Sequence, residues 1–176
     1  MKKGFLYKLI ISILILIILI TGLTLFRTYR KIYYPNVITH GNPSEYIYIP
    51  TGATFEEVMD TLSRNNYIID KGSFEWMAEK KNYKNNISPG RYRIKNNMSN
   101  NELINILRSG KQEPVKVTIN KTRTMELLAG RISRKIEADS LSLVAAFRNN
   151  DLLAPYGFNS QTIAAMIIPD TYKFFW

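Results

Sequence analysis

The stretch from Leu9 to Phe26, "LIISILILIILITGLTLF", carries no charge and is built mainly from Ile and Leu. As a helix rising about 1.5 Å per residue it extends about 27 Å, close to the ~30 Å of a bilayer's hydrocarbon. A core helix of a soluble protein needs a polar stripe for water, and this run offers none. An apolar region this long, with no A-x-A-like cleavage triplet after Leu25, reads as an uncleaved signal anchor rather than a removable signal peptide. Lys2, Lys3 and Lys8 precede the run and Arg27, Arg30 and Lys31 follow it. Positive charge therefore does not orient it. Too little chain precedes the run to fold, so the expected topology has a cytoplasmic N-terminus and the folded part on the outer side.

The segment "YRKIYYPNVITHGNPSE" has no apolar period and contains Pro35, Gly41 and Pro43, which predicts a stalk. The chain's one histidine, His40, sits in it without the converging partners that a metal or catalytic site needs. The chain has no cysteine, which excludes disulfides and thiolate metal sites. Its net charge of +10 admits nucleic acid, anionic lipid or an anionic polymer as partner, with several of the charges simply flanking the apolar run.

Regular patterning then begins. "YIYI" predicts a short strand, and Thr54 with Glu57 makes a capping box for a helix that presents Phe55, Val58, Met59 and Leu62. "SFEWMAEKK" predicts a second helix with Phe74, Met77 and Ala78 on one side and Trp76 elsewhere, free to pack or to meet a ligand. After a Pro-Gly turn, Tyr92 and Ile94 mark a strand. Ser99 and Glu102 repeat the capping box, flanked by Met98 and Leu103 as a hydrophobic staple; Leu103, Ile106 and Leu107 continue the apolar stripe, and Gly110 stops that helix. "VKVTI" alternates as a half-buried strand through Val115, Val117 and Ile119. Helical patterning follows through Leu127, Leu128, Ile132 and Ile136, and again from Asp139 through Leu143, Ala146 and Phe147. Ser160 is the expected cap of a last helix that Pro169 ends. These elements make the class α+β.

The final residues "IPDTYKFFW" place three aromatics directly after a Pro-Asp-Thr turn signal, where natural termini are usually polar. The chain reads as one cut inside a domain.

The anchor, "IPTGATFEEVMDTLSRNNYI" with Phe74, "SPGRYRIKNNMSNNELINILRSGK" and "IPDTYKFFW" together resemble the endolytic murein transglycosylase family (MltG, YceG-like). The resemblance implies a cytoplasmic tip and anchor over 1–27, a stalk over 28–44, a LysM-like glycan-binding subdomain over 45–112 and the start of a catalytic domain over 113–176. It implies an inner-membrane, single-pass lyase that cleaves peptidoglycan strands to 1,6-anhydro-MurNAc ends. Peptidoglycan strands, the membrane and peptidoglycan synthases are the implied partners, and nucleic acid is not among them. In that family's reaction the sugar's own C6 hydroxyl attacks the anomeric carbon, and a single glutamate acts first as acid and then as base. Hydrolases that use water or an enzyme nucleophile instead employ paired carboxylates. No metal or cofactor is implied.

The family's glutamate belongs to an S-I-x-E-K-E-T-like stretch that would follow Trp176, so no catalytic residue is expected here. Asp170 and Tyr172 are the candidate neighbours of the substrate groove. Asp170 could equally cap its own turn, and Tyr172 could equally be core. Two positions depart from the family pattern: Asn120, Lys121 and Thr122 stand where an E-G pair is common, and Ala164 to Ile168 stand where E-G-x-x-F is common. Glu126 and Glu137, on predicted helices, read as solvated or as partners of the helix dipole.

The alternative from another class is a membrane-anchored cell-wall binding or adaptor protein without activity. Nucleic-acid binding draws only on charge, since the aromatics are not interleaved with Arg and Lys in a binding motif. An older label for the family, aminodeoxychorismate lyase, would require a pyridoxal phosphate site, for which the sequence offers no Schiff-base lysine in a sensible context.

Overall fold

The computed structural model describes residues 2–120 and 122–176, with side chains from Tyr7 onward. The side chains of Lys2 and Lys3, and all of Lys121, lie outside the described residues. The architecture mixes helices with two small sheets. In chain order the elements are α1 (Lys2–Tyr33), β1 (Ser44–Ile49), α2 (Phe55–Arg64), α3 (Lys71–Lys80), β2 (Gly90–Lys95), α4 (Asn100–Ser109), β3 (Val115–Ile119), α5 (Met125–Ser133), α6 (Ser140–Arg148), α7 (Asn150–Leu153) and β4 (Asp170–Phe174). β1 pairs with β2, and β3 pairs with β4.

The chain divides into two compact units. Unit 1 comprises Met1–Glu45, Thr54–Ile87 and Ile94–Ser109, and unit 2 comprises Tyr46–Ala53, Ser88–Arg93 and Gly110–Trp176.

In unit 1 the apolar run lies within one uninterrupted helix, of which Tyr7–Tyr33 is long and apolar enough to cross a membrane. The helix continues past Phe26 to Tyr33, and the residues after it are packed. Asn36, Val37 and Thr39 are buried. Pro35 bridges Ser99 and Val37 bridges Ile68 in antiparallel fashion. The sequence reading of residues 28–44 as a stalk is corrected on this point. Its aperiodic pattern arises because these residues bind the fold through backbone and amide groups rather than through an apolar stripe. The Asn36 amide donates to the Asn100 side-chain oxygen at 2.6 Å and to the Asp70 carbonyl at 3.0 Å, and its own oxygen accepts the Asp70 N–H at 2.7 Å. Asn100 in turn donates to the Lys31 carbonyl at 2.8 Å and to the Ser73 hydroxyl at 2.9 Å. A buried polar group is tolerated only when satisfied, and this network satisfies its members.

α2, α3 and α4 bury Phe55, Val58 and Leu62; Phe74, Met77 and Ala78; and Leu103, Ile104 and Leu107, while Met59 and Ile106 of the expected stripes are only half-buried and Ile104 is buried outside the expected stripe. Phe55 stacks on Phe74 with ring centroids 6.4 Å apart and meets Tyr83 edge-on at 6.2 Å. Full burial of a side chain such as Phe74 contributes about 1.5–3 kcal/mol. Thr54 and Glu57 form a reciprocal capping box. Ser99 and Glu102 form another, with the Ser99 N–H donating to Glu102 at 2.8 Å and the Glu102 N–H donating to the Ser99 hydroxyl at 3.3 Å. Both staple residues, Met98 and Leu103, are buried. Trp76 lies under the Lys31 ammonium, 5.5 Å from the ring centroid. His40 packs its ring 5.6 Å from that of Tyr67 and shares Glu45 with it. Burial and the Glu45 carboxylate push the Tyr67 phenol up to about 12.

In unit 2, β3 and β4 run antiparallel with Val115 opposite Phe174, Lys116 opposite Lys173, Val117 opposite Tyr172, Thr118 opposite Thr171 and Ile119 opposite Asp170. Side chains alternate across a strand. Val117 and Ile119 therefore join Leu128 and Ile132 of α5 in a small core, with Tyr172, Phe174, Leu143 and Phe147 packed against it. α5 is narrower than its pattern predicts: Leu127 is exposed and Ile136 lies beyond the helix end. The last predicted helix is a single tight turn, Ile163–Met166, and its backbone donors are not capped by Ser160. The turn has no side-chain cap; the Asn159 side chain accepts the N–H groups of Gln161 and Thr162, which precede it, at 2.9 Å each. Gly90 sits at φ +135, and a Cβ there would fall on the Gln112 side chain, so this turn requires glycine.

Candidate functional site

Unit 2 holds a cavity of about 330 Å³ where β3 ends and α5 begins. β3 delivers Ile119 and Asn120 to it, the connection supplies Thr122 and Arg123, and α5 supplies Met125 and Leu128. The Thr124 hydroxyl accepts the Leu127 N–H at 3.3 Å and so fixes the start of α5. The opposite side is Ala164, Ile167 and Pro169. Their path is held by Tyr172, whose hydroxyl donates to the Ile168 carbonyl at 2.8 Å and accepts the Ile168 N–H at 3.1 Å.

The two segments that depart from the family pattern, Asn120 to Thr122 and Ala164 to Ile168, thus line one cavity. Lys121 itself lies outside the described residues. The lining offers an amide, two hydroxyls, one guanidinium and apolar surface, but no carboxylate or imidazole. Such a site can hold a polar neutral ligand by hydrogen bonds and apolar contact. Its described residues have no group suited to proton transfer.

Neither Asp170 nor Tyr172 is among the residues lining this cavity. Asp170 follows Pro169, is exposed, and accepts the N–H of Thr171 at 2.6 Å, as an Asp at a turn commonly does. The half-buried Tyr172 packs against the small core with its hydroxyl engaged by Ile168. Glu126 lies in the first turn of α5 and pairs with Arg148 at 2.8 Å. Hydrogen bonding to its own backbone N–H, then to Thr124, holds its carboxyl below the usual range. Glu137 is not on a helix, contrary to its pattern, because α5 stops at Ser133. It accepts the Thr51 N–H at 2.7 Å and the Thr51 hydroxyl at 2.6 Å. Wherever a carboxyl departs from its ordinary pKa, at Glu45, Glu126 and Asp139, it is lowered, the opposite of what a general acid at neutral pH needs. Among the described residues no cluster of His, Cys, Asp and Glu could hold a metal ion.

A second cavity in unit 2, of about 470 Å³, is lined by Tyr46, Arg91, Glu113, Lys116, Lys135 and Lys173, with Pro114 and Val115. Sequence reasoning missed it. Lys116 reads only as the wet side of a half-buried strand, and nothing local announces that Lys173 stands opposite. In unit 1 a cavity of about 380 Å³ adjoins the end of α1 and is lined by Arg27, Arg30, Lys31, Asn36, Asp70 and Asn100 among others. The two Asn amides there are taken up by the network that holds α1.

The model of the YceG-like family matches residues 47–176 of this chain. No curated protein is similar at a significant level. Among solved structures, a YceG-like protein from Listeria monocytogenes is similar, with a TM-score of 0.37 and 17% identity. The match covers 75% of this chain and 48% of that one. The chain thus spans about half the length of that protein.

Proposed function

The chain belongs to the YceG-like family, and from that premise we propose that it serves a membrane-anchored endolytic peptidoglycan transglycosylase, a lyase that cuts glycan strands to leave 1,6-anhydro-MurNAc ends. The family match over residues 47–176 is the observation that carries this reading. The apolar helix Tyr7–Tyr33 supports anchoring, with the N-terminus cytoplasmic and the folded units on the outer side of the inner membrane. The strand–helix–helix–strand order of β1, α2, α3 and β2, with β1 paired to β2, supports a LysM-like glycan-binding role for this region.

In this reading the described residues bind and position the glycan strand. The cavity between Asn120 and Ala164 offers hydrogen bonds to sugar hydroxyls, with Asp170 and Tyr172 setting the backbone beside it. The acid/base carboxylate is assigned to none of the described residues. Peptidoglycan synthases are the protein partners that fit an enzyme that opens strands.

Digestion of purified glycan strands by the protein in membranes, followed by mass analysis, tests the reading. Products with 1,6-anhydro ends are expected. Reducing ends would make it a hydrolase. Binding without cleavage would favour the non-catalytic adaptor.

A further inference from the structure

Resting on the peptidoglycan reading, we propose that the cavity between Lys116, Lys135, Lys173 and Arg91 is an anion subsite that takes the carboxylates of the peptide branches carried by the glycan strand. Lys116 and Lys173 are direct cross-strand partners. Like charges in that relation repel and weaken a sheet. The next pair on the same face brings no counter-charge: it is Thr118 and Thr171, whose hydroxyls bond each other at 3.0 Å.

The cavity's one carboxylate among the described residues, Glu113, is already engaged. It pairs with Arg93 at 3.1 Å and accepts the Tyr46 hydroxyl at 3.1 Å. Lys116, Lys135 and Lys173 take part in no ion pair or side-chain hydrogen bond among the described residues. Arg91 is held in place, with its guanidinium 3.5 Å over the Tyr46 ring and one nitrogen donating to the Pro114 carbonyl at 3.1 Å. Its Nε is buried without a hydrogen-bond partner.

A cavity whose walls gather cations and spend their one carboxylate elsewhere is a local conflict that a bound anion resolves. Neutral sugar rings give no reason for the cluster. The lysines come from three separate segments: β3, the chain just after α5, and β4. Separate ammonium groups suit single carboxylates spaced along a peptide better than one compact phosphate.

The test uses the full chain in detergent micelles at low salt. It compares binding to peptide-bearing glycan strands, to strands stripped of peptide by an amidase and then amidated at the lactyl carboxylates that this frees, to the free branch peptide and to a phosphodiester wall polymer. The wild type should bind peptide-bearing strands about tenfold more tightly than stripped ones, the sum of a few modest charge contacts, and added salt should erase the difference. The double variant Lys116→Gln, Lys173→Gln should bind both kinds of strand as the wild type binds stripped ones. Its thermal midpoint should be equal or higher, because the repulsion is gone, which separates lost binding from lost folding.

A variant that keeps the preference for peptide-bearing strands overturns the proposal, and so does tighter, lysine-dependent binding of the phosphodiester polymer. Lysine-dependent binding of the free peptide without affinity for either strand would uphold the anion site and break the glycan reading. Binding to neither peptide nor strands overturns both.

Discussion

Helices α2 to α4 in unit 1 and helices α5 and α6 in unit 2 start equally well but end up in different surroundings. Thr54, Asp70, Thr124 and Asp139 all accept the N–H three residues on, so the N-caps do not distinguish the units. Burial does. α2, α3 and α4 each hide an apolar face, whereas α6 buries no residue and leaves Leu141 80% exposed. A helix end is decided by three or four residues in sequence, but a helix face is decided by what lies against it. Unit 1 rests on a broad core, and the later part of unit 2 on one strand pair and a small cluster.

The comparison breaks most readily at the two cores. Phe74→Ala should cost about 3–5 kcal/mol in chemical denaturation, and Leu128→Ala about 2–3 kcal/mol, because partly exposed neighbours can close on the smaller side chain. A larger loss at Leu128 than at Phe74 would reverse the ranking. Next is the cap at Ser99, where Ala should lower stability by about 1 kcal/mol. An unchanged denaturation midpoint would mean that Glu102 holds the turn alone. At the surface of α6, Leu141→Ala should stay within about 0.5 kcal/mol, and a larger drop would show that the residue has a partner in solution.

The smallest effect concerns acid. Hydrogen bonds from the Ser142 backbone and side chain lower the Asp139 carboxyl in the folded state. The unfolded chain then binds the proton more readily, so this contribution is complete above the unfolded value of about 3.9 and disappears as pH falls through the lower folded value. Asp139→Asn should flatten the acid limb of a stability–pH curve for unit 2, and an identical limb would remove Asp139 from the account.

Much of this was legible in sequence because it is local. The two capping boxes, Gly110 at positive φ, and most of the buried positions of α2 and α4 follow from residues within a turn or two of each other, although Ile104 is buried where the pattern marks Ile106 and Met59 is only half-buried. What escaped depends on partners far along the chain. Asn36 looks like linker until Asp70, Ser73 and Asn100 surround it. Glu137 fits a helical period, yet its place is set by Thr51. Ser160 is a good cap by type, yet the turn at Ile163 starts without a side-chain cap and Asn159 takes the N–H groups just before it. At the candidate site, sequence supplied the segments at Asn120 and Ala164 through their unusual residues, but their meeting across one cavity required β3 and β4 to pair.

The end of α1 carries a mechanical consequence. A free linker of the length between Phe26 and Ser44 would be a leash, letting its cargo wander over roughly 20–25 Å. The chain has instead a mast. Helix continues for about 10 Å beyond Phe26, and the next residues are bolted at Pro35, Asn36 and Val37. Were α1 to cross a bilayer, as proposed, unit 1 would ride at a fixed height and lean when the helix leans. Its working volume would then be a thin layer above the lipid, which a change in membrane thickness would raise or lower.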